Sequence, residues 1–359
     1  MKKALAILLA LLMVLAVVAG CGAKEDAEAP KDDAATDEKE DEVADEKEDA
    51  AAGKQIAVCM GSINHPVHRI VQLGFVLKAE ELGMEGVISG LDEGSIQELI
   101  TKWESAVTNG AEGVLVWTGD DSCYDMMKGM KEMGVYTTVP HFVHDYATTK
   151  DFIDKNVSCL AATYGAESAK FIVEKLEEKG IKEGTIGITQ NGPNVTENAA
   201  NDGFRSQIAE LGVAYKLADT VMEGAEVTEA TNKVTSVIQA NPDIVAGFGT
   251  TGGSPQSWSA AMENTGKTDL VVIGMDYTEL NVNLVKEGKI TAVVCQPLFP
   301  EAQECAQVLY NLFNGEVYNG SEDTWFTELD APLAYVGGEG VNDINSYQDI
   351  IDQVAEYFA

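Results

Sequence analysis

From Gln55 onward the chain alternates short apolar runs with amphipathic stretches, and few architectures satisfy that rhythm. Nine runs read as strands: residues 55–60, 86–89, 113–117, 135–139, 185–189, 213–217, 244–249, 270–275 and 290–295. Most are rich in Val, Ile or Leu and are bounded by Gly, Asn or Pro. The windows between them repeat at helical spacing. In residues 95–107, Ile96, Leu99, Ile100, Trp103 and Val107 share one face, and residues 197–211, 228–239 and 300–313 behave similarly. Trp103 reads as core, and Trp258, deeper in a helical window, reads as packing. Apolar strands alternating with one-sided helices predict βαβ units, with parallel sheets covered on both faces. The class is α/β.

The rhythm is interrupted once. Residues 145–157 form a longer polar stretch, and a helix predicted over about 162–179 then starts a second series. This favours two doubly wound lobes over one nine-stranded sheet. Open α/β sheets bind ligands outside the carboxyl ends of their strands, so two sheets facing each other would form a cleft that closes by hinge bending. The segment Gln55–Arg69 is its expected first wall: a strand, a break at Asn64-His65-Pro66, and a helix with Pro66 at its first position.

The amino-terminal region does not belong to this rhythm. Lys2 and Lys3 precede an apolar run from Ala4 to Ala19, shorter than a spanning helix requires, which predicts an export signal over residues 1–20. Val18-Ala19-Gly20-Cys21 resembles a bacterial lipobox, implying cleavage before Cys21 and a lipid on its sulfur. The protein would then be anchored to the outer face of the cell membrane without spanning it. Residues 21–53 have almost nothing to bury, and their fourteen acids against four lysines account for ten of the chain's 35 net negative charges. That composition predicts a disordered, self-repelling tether.

About 305 residues remain, enough for two domains. Their charge remains strongly negative, which argues against nucleic acid as a partner. Beyond Cys21 the five cysteines (59, 123, 159, 295 and 305) form no disulfide framework or metal-type spacing. No nucleophile elbow, zinc-protease helix or phosphate loop is present, and Gly249-Thr250-Thr251-Gly252-Gly253 lacks the lysine a phosphate loop needs. The expectation is a binder, not an enzyme, with no cofactor.

Five fragments then accumulate in order: residues 56–69, residues 109–116, Asp202-Gly203-Phe204, Asn241-Pro242-Asp243-Ile244 and Val272-Ile273-Gly274-Met275-Asp276. Together they resemble the ribose-binding type of substrate-binding protein of bacterial ABC transporters, the type I periplasmic-binding-protein fold, across residues 55–313. Repressors share this fold, but an export signal and acidic tether stand where their DNA-binding module would be. The resemblance implies lobes of residues 54–156 plus about 297–326 and 157–296 plus about 327–359, joined by a multi-strand hinge. It implies a monomer that captures a monosaccharide or polyol and presents it to a membrane permease. A ligand-sensing receptor subunit is the alternative.

Carried over position by position, the resemblance places ligand contacts at His65, Val67 and His68, at Trp117, at His141, at Asn198, at Thr251, and at Asp276 and Gln296. Asp276 and Gln296 match the family pattern; His141 and Asn198 stand where arginines are expected. A buried carboxylate accepting two hydroxyls, a carboxamide that donates and accepts, and an indole face all suit a polyhydroxylated ring. Asp276 also reads, less interestingly, as a helix N-cap. All four histidines fall in two pairs, His65/His68 and His141/His144, so a metal or metal complex held by these four is a further alternative.

Overall fold

The computed structural model describes residues 49–359. The expected export signal, Cys21 and the tether as far as residue 48 lie outside the described residues.

The first part of the chain runs β1 (Gln55–Met60), α1 (Pro66–Glu81), β2 (Glu85–Gly90), α2 (Ile96–Thr108), β3 (Gly113–Val116), α3 (Tyr124–Glu132), β4 (Tyr136–Pro140), the single turn α4 (Tyr146–Thr149) and β5 (Lys155–Ser158). The second runs α5 (Ala161–Glu178), β6 (Glu183–Gln190), α6 (Val195–Leu211), β7 (Ala214–Leu217), β8 (Val221–Met222), α7 (Val227–Ala240), β9 (Ile244–Gly249), α8 (Ser254–Thr265), β10 (Val271–Met275), α9 (Glu279–Lys286) and β11 (Ala292–Val294). The last comprises α10 (Leu298–Phe313), the turn α11 (Glu322–Trp325), β12 (Phe326–Glu328), β13 (Leu333–Tyr335) and α12 (Gln348–Tyr357).

Two sheets result. One has the order β12-β5-β4-β3-β1-β2 with every pair parallel. The other has the order β13-β11-β10-β9-β6-β7, with β8 also on β6 and only β13 antiparallel. All nine expected strands are present, each within a few residues of its expected bounds. The chain passes between the lobes at residues 159–160, 295–297 and 329–332, so three segments form the hinge.

The strands that the apolar pattern missed have a common cause. Strand β5 is Lys-Asn-Val-Ser and fully buried, because each polar side chain has a partner. Lys155 donates to the Thr324 carbonyl (2.6 Å), the Asn156 amide to the carbonyls of Val139 and Phe142 (2.8 Å each), and Ser158 to that of His141 (2.7 Å). The polar stretch expected to separate the lobes therefore contains a buried strand that leads into the hinge. Strands β8, β12 and β13 are only two or three residues long, too short for a period.

Two expected boundaries need correction. Residues 49–53 are packed, not disordered: Ala51 is fully buried, and Asp49 accepts hydrogen bonds from Tyr310 (3.1 Å) and Asn314 (3.1 Å) at the end of α10. Strand β12 belongs to the first sheet, and beyond β13 the chain returns to the first lobe, where α12 packs against α1. The Arg69 guanidinium lies 5.1 Å from the Phe358 ring, while Lys286 of α9 donates to Gln348 (2.7 Å). The C-terminal helix thus bridges both lobes.

Helix α2 begins with a full capping box, Ser95 and Glu98 satisfying each other's backbone amides. Helices α5 and α6 pack at backbone distance because small residues meet there: a Cβ on Gly165 would stand 2.0 Å from the Ala200 carbonyl, and one on Gly203 2.2 Å from that of Ala162. In α3, by contrast, a Cβ on Gly129 would meet nothing within 4 Å. Gly165→Ala is expected to destabilise the protein by about 1–3 kcal/mol through overpacking, whereas Gly129→Ala gains about 0.4–1 kcal/mol from the unfolded state. Urea midpoints of the two variants check the pair; equal effects would contradict the packing account.

Candidate functional site

The loops after β1, β3 and β4 build one wall. His65 caps α1, its Nδ1 accepting from the Val67 amide (3.3 Å), with Pro66 filling the first helical position. Val67 itself points into the core. The His68 Nδ1 lies 2.7 Å from the Ser62 carbonyl, so this nitrogen carries the proton. Burial pushes the His68 pKa down to about 4, so the ring is neutral at pH 7 and its Nε2 is an acceptor.

From there the rings form a ladder. His65 and His68 are 5.0 Å apart, His68 meets Trp117 edge-on at 5.8 Å, and His141 stacks on Trp117 at 4.7 Å with 17° between planes. Phe142 closes the ladder edge-on, 5.5 Å from Trp117 and 4.9 Å from His141. One indole face is therefore occupied by imidazole. His141 adopts a left-handed backbone (φ 68°), held by its amide on the Val157 carbonyl (2.9 Å) and by the Ser158 hydroxyl on its own carbonyl. This strain aims the ring at the hinge.

The opposite wall comes from the loops after β6, β9 and β10. Asp276 follows β10, again with a left-handed backbone (φ 67°), and is 5 % exposed. Its Oδ1 has no hydrogen-bond partner among the described residues. The fully buried Asn281 amide fixes the turn by donating to the carbonyls of Gly252 (2.9 Å), Met275 (3.0 Å) and Asp276 (3.2 Å). The N-cap of α9 is Thr278, not Asp276, so the capping reading of Asp276 is withdrawn and its carboxylate is left for another partner. Gly252 leaves room for the carboxylate, since a Cβ there would stand 2.6 Å from Asp276 Oδ2 and displace it. Thr251, beside it, donates its backbone amide to Ser254 (3.3 Å).

The hinge forms the floor. Gln296 is 6 % exposed, and its amide donates to the Tyr164 hydroxyl (3.4 Å). Behind it stands Glu301, in the first turn of α10, fully buried with both oxygens unpartnered and 3.8 Å from His141 Nδ1. Asp276 is close enough to His141, Glu197 and Glu301 for their charges to act on it. His141 of the first lobe thus meets Glu301 at the hinge, and Tyr164 of the second lobe meets Gln296 there.

His65, His68, Trp117, His141, Asp276 and Gln296 gather at this cleft, with Thr251 at its edge. Asn198 does not: it is exposed, and its carbonyl accepts from Gln190 (2.9 Å). Its neighbour Glu197 turns inward instead, taking hydrogen bonds from the Asn191 amide (2.6 Å) and the Thr250 hydroxyl (3.1 Å). His144 is also set apart, with Nε2 on the Thr118 carbonyl (3.0 Å) and Nδ1 on the Tyr124 hydroxyl (3.1 Å). With both ring nitrogens engaged it cannot ligate a metal. Among the described residues no three His, Cys, Asp or Glu side chains are placed to hold one.

Glu301, Glu197 and Phe142 escaped the sequence reading. The signal for Glu301 was present: it shares the helical face of Cys305, Val308 and Leu312, all buried, where a carboxylate needs a reason. Burial alone does not mark a ligand group, however. Glu223 is equally buried, but Thr189 (3.3 Å), Ser254 and Ser257 (2.6 Å) all donate to it, so it is a satisfied structural carboxylate. Asp276 and Glu301 lack that satisfaction.

Burial pushes the Asp276 pKa up to about 6, opposed mainly by His141. In the unfolded chain it titrates near 3.8, so its contribution favours folding below pH 4 and is lost as pH rises through 6. His68 works oppositely: its contribution is complete above pH 6.5 and lost as pH falls through 4. Asp276→Asn isolates the first effect and suits a left-handed backbone. The ligand-free variant is expected to be more stable than the parent by roughly 2–3 kcal/mol at pH 7.5 and to match it near pH 4. Urea denaturation across that range tests this, and a pH-independent difference would sink it.

With the geometry described, comparison with known proteins supplies the family. The chain matches the periplasmic binding protein domain over residues 56–316. It is 26 % identical over 253 residues to the D-apiose import binding protein of Actinobacillus succinogenes, covering 69 % of this chain and 78 % of the relative. It is 23 % identical over 250 residues to the ribose import binding protein of Salmonella typhimurium, covering 67 % and 78 % respectively. Among solved structures, an ABC transporter periplasmic solute binding protein from Actinobacillus succinogenes with bound D-allose superposes with a TM-score of 0.70 at 18 % identity, over 79 % of this chain and 97 % of that one. An arabinose binding protein from Geobacillus stearothermophilus gives 0.69 at 15 % identity, over 86 % of this chain and all of the other. The likeness to these structures concerns the fold, two parallel-sheet lobes around a cleft. The chain belongs to the periplasmic binding protein family.

Proposed function

We propose that this protein captures a monosaccharide or related polyol outside the cell and delivers it to the permease of an ABC importer. The observation that carries the reading is Asp276: a carboxylate buried in the cleft, fixed by Asn281, with an oxygen that nothing among the described residues satisfies. Such a group costs free energy until a ligand donates to it. Sugar hydroxyls do so, and the names of similar proteins state sugars: two are import binding proteins for D-apiose and ribose, and one is a D-allose-binding periplasmic protein. In this reading Asp276 and Gln296 bind hydroxyls, His65 and the His68 Nε2 contribute further polar contacts, His141 meets the ring from the hinge side, and Trp117 covers its apolar face. Thr251 contributes at the edge. Both walls come from one chain, so a monomer carries the whole site. The sugar binders provide no reaction chemistry, and binding by itself is the function.

Cys21 would hold the protein at the outer face of the cell membrane by its lipid, with residues 22–48 as spacer. No helix among the described residues is long and apolar enough to cross a membrane.

Two experiments test this. A thermal-shift screen of neutral aldoses and polyols is expected to give at least one ligand that adds about 2.7 kcal/mol at 100 times its Kd. Asp276→Asn should weaken that ligand roughly tenfold to a hundredfold, as loss of a charged hydrogen bond of about 1.5–3 kcal/mol predicts. Unchanged affinity would remove Asp276 from the site. Separately, Cys21→Ser should move the protein from the membrane fraction to the soluble exported fraction, and retention on the membrane would refute the lipid anchor.

A further inference from the structure

The charge of the cleft narrows the ligand further, in a step that rests on the sugar-binding reading. Glu301 is fully buried with both carboxylate oxygens unpartnered, Asp276 is 5 % exposed with one oxygen unpartnered, and Glu197 stands near enough to act on Asp276. Nothing in the walls compensates these carboxylates with a permanent positive charge. The chain has only two arginines. Arg69 is held by Asn64 (3.0 Å) and covers Phe358. Arg205 is held by Asn201 (2.8 Å), the Ala218 carbonyl (2.9 Å) and Thr220 (2.9 Å). Among the described residues no lysine acts on Asp276 and His141 is the sole group that favours its charged form, while His141 is 3.8 Å from Glu301, beyond hydrogen-bond reach.

A neutral ring would bring hydroxyl donors to these carboxylates but leave their mutual repulsion in a desolvated cleft. A cation removes both penalties at once, because an ammonium donates three charge-assisted hydrogen bonds and cancels a charge. We infer that the ligand is a sugar or polyol bearing a basic nitrogen, whose ammonium faces Asp276 with Glu301 behind it. The aromatic ladder from His65 to Phe142 covers the rest of the ring, and Gln296 binds a hydroxyl. Glu301 is in this account a specificity-determining residue, selecting charge.

Calorimetric titration of the full-length protein at pH 7 tests the inference with matched probes: D-glucosamine, D-galactosamine and D-mannosamine, their N-acetyl derivatives, and the corresponding neutral hexoses together with D-ribose. At least one free amino sugar should bind tenfold or more tightly than its neutral and N-acetylated counterparts. Glu301→Gln and Asp276→Asn should each shrink that preference at least threefold, a change in the ratio of affinities that simple loss of stability would not produce. Neutral sugars binding as tightly as the amines, or a preference untouched in both variants, overturns the charge inference and leaves sugar capture standing. An absence of heat from every probe rejects both readings.

Discussion

A carboxylate held in a left-handed turn at the end of β10, out of water and short of a donor, costs the empty protein free energy. Much of the second lobe is arranged to keep it there. Asn281 clamps the turn from beneath, Gly252 leaves room that any side chain would fill, and Thr278 takes over the duty of capping α9. A chain free to relax would expose Asp276. That it does not is the physical sense in which the cleft is preorganised: the cost of desolvation is met during folding, and the ligand recovers it.

The other wall and the floor depend on the same economy of placement. His141 adopts the second left-handed non-glycine conformation among the described residues, and its backbone is tied to β5 so that its ring stacks on Trp117 and faces Glu301. Strand β5 leads directly into the first hinge crossing, Gln296 lies within the second and Glu301 follows it in the first turn of α10, so on the proposed reading hinge groups are also ligand groups. The C-terminal helix adds a further link, resting on α1 while its lead-in contacts Tyr277, the residue after Asp276, through the Tyr347 ring at 4.7 Å.

Contrast among the buried acids explains why burial alone is a poor guide. Glu223 is coated by three hydroxyls and finished, while Asp276 and Glu301 are not. The histidines divide likewise: His144 uses both nitrogens within the fold, whereas His68 uses one and keeps the other as an acceptor. In sequence each pair of groups looks alike, and only their partners distinguish structure from function.

Sequence by itself determined the class and the two-lobed architecture, because nine apolar runs alternating with one-sided helices admit little else. The family resemblance also pointed to Asp276, Gln296, His65, His68, Trp117 and His141, which lie in loops at strand ends and at the hinge. Sequence misread residues 145–157, where buried Lys155, Asn156 and Ser158 look like a loop until their long-range partners are known. It placed Asn198 one residue away from the side chain that turns inward, because helical phase is set by packing of α6 on α5 and not by motif spacing. Glu301 showed in sequence only as an acid on an apolar helix face. Whether a buried acid on an apolar helix face is paired depends on atoms contributed from other elements, and those are brought together only when the tertiary structure forms.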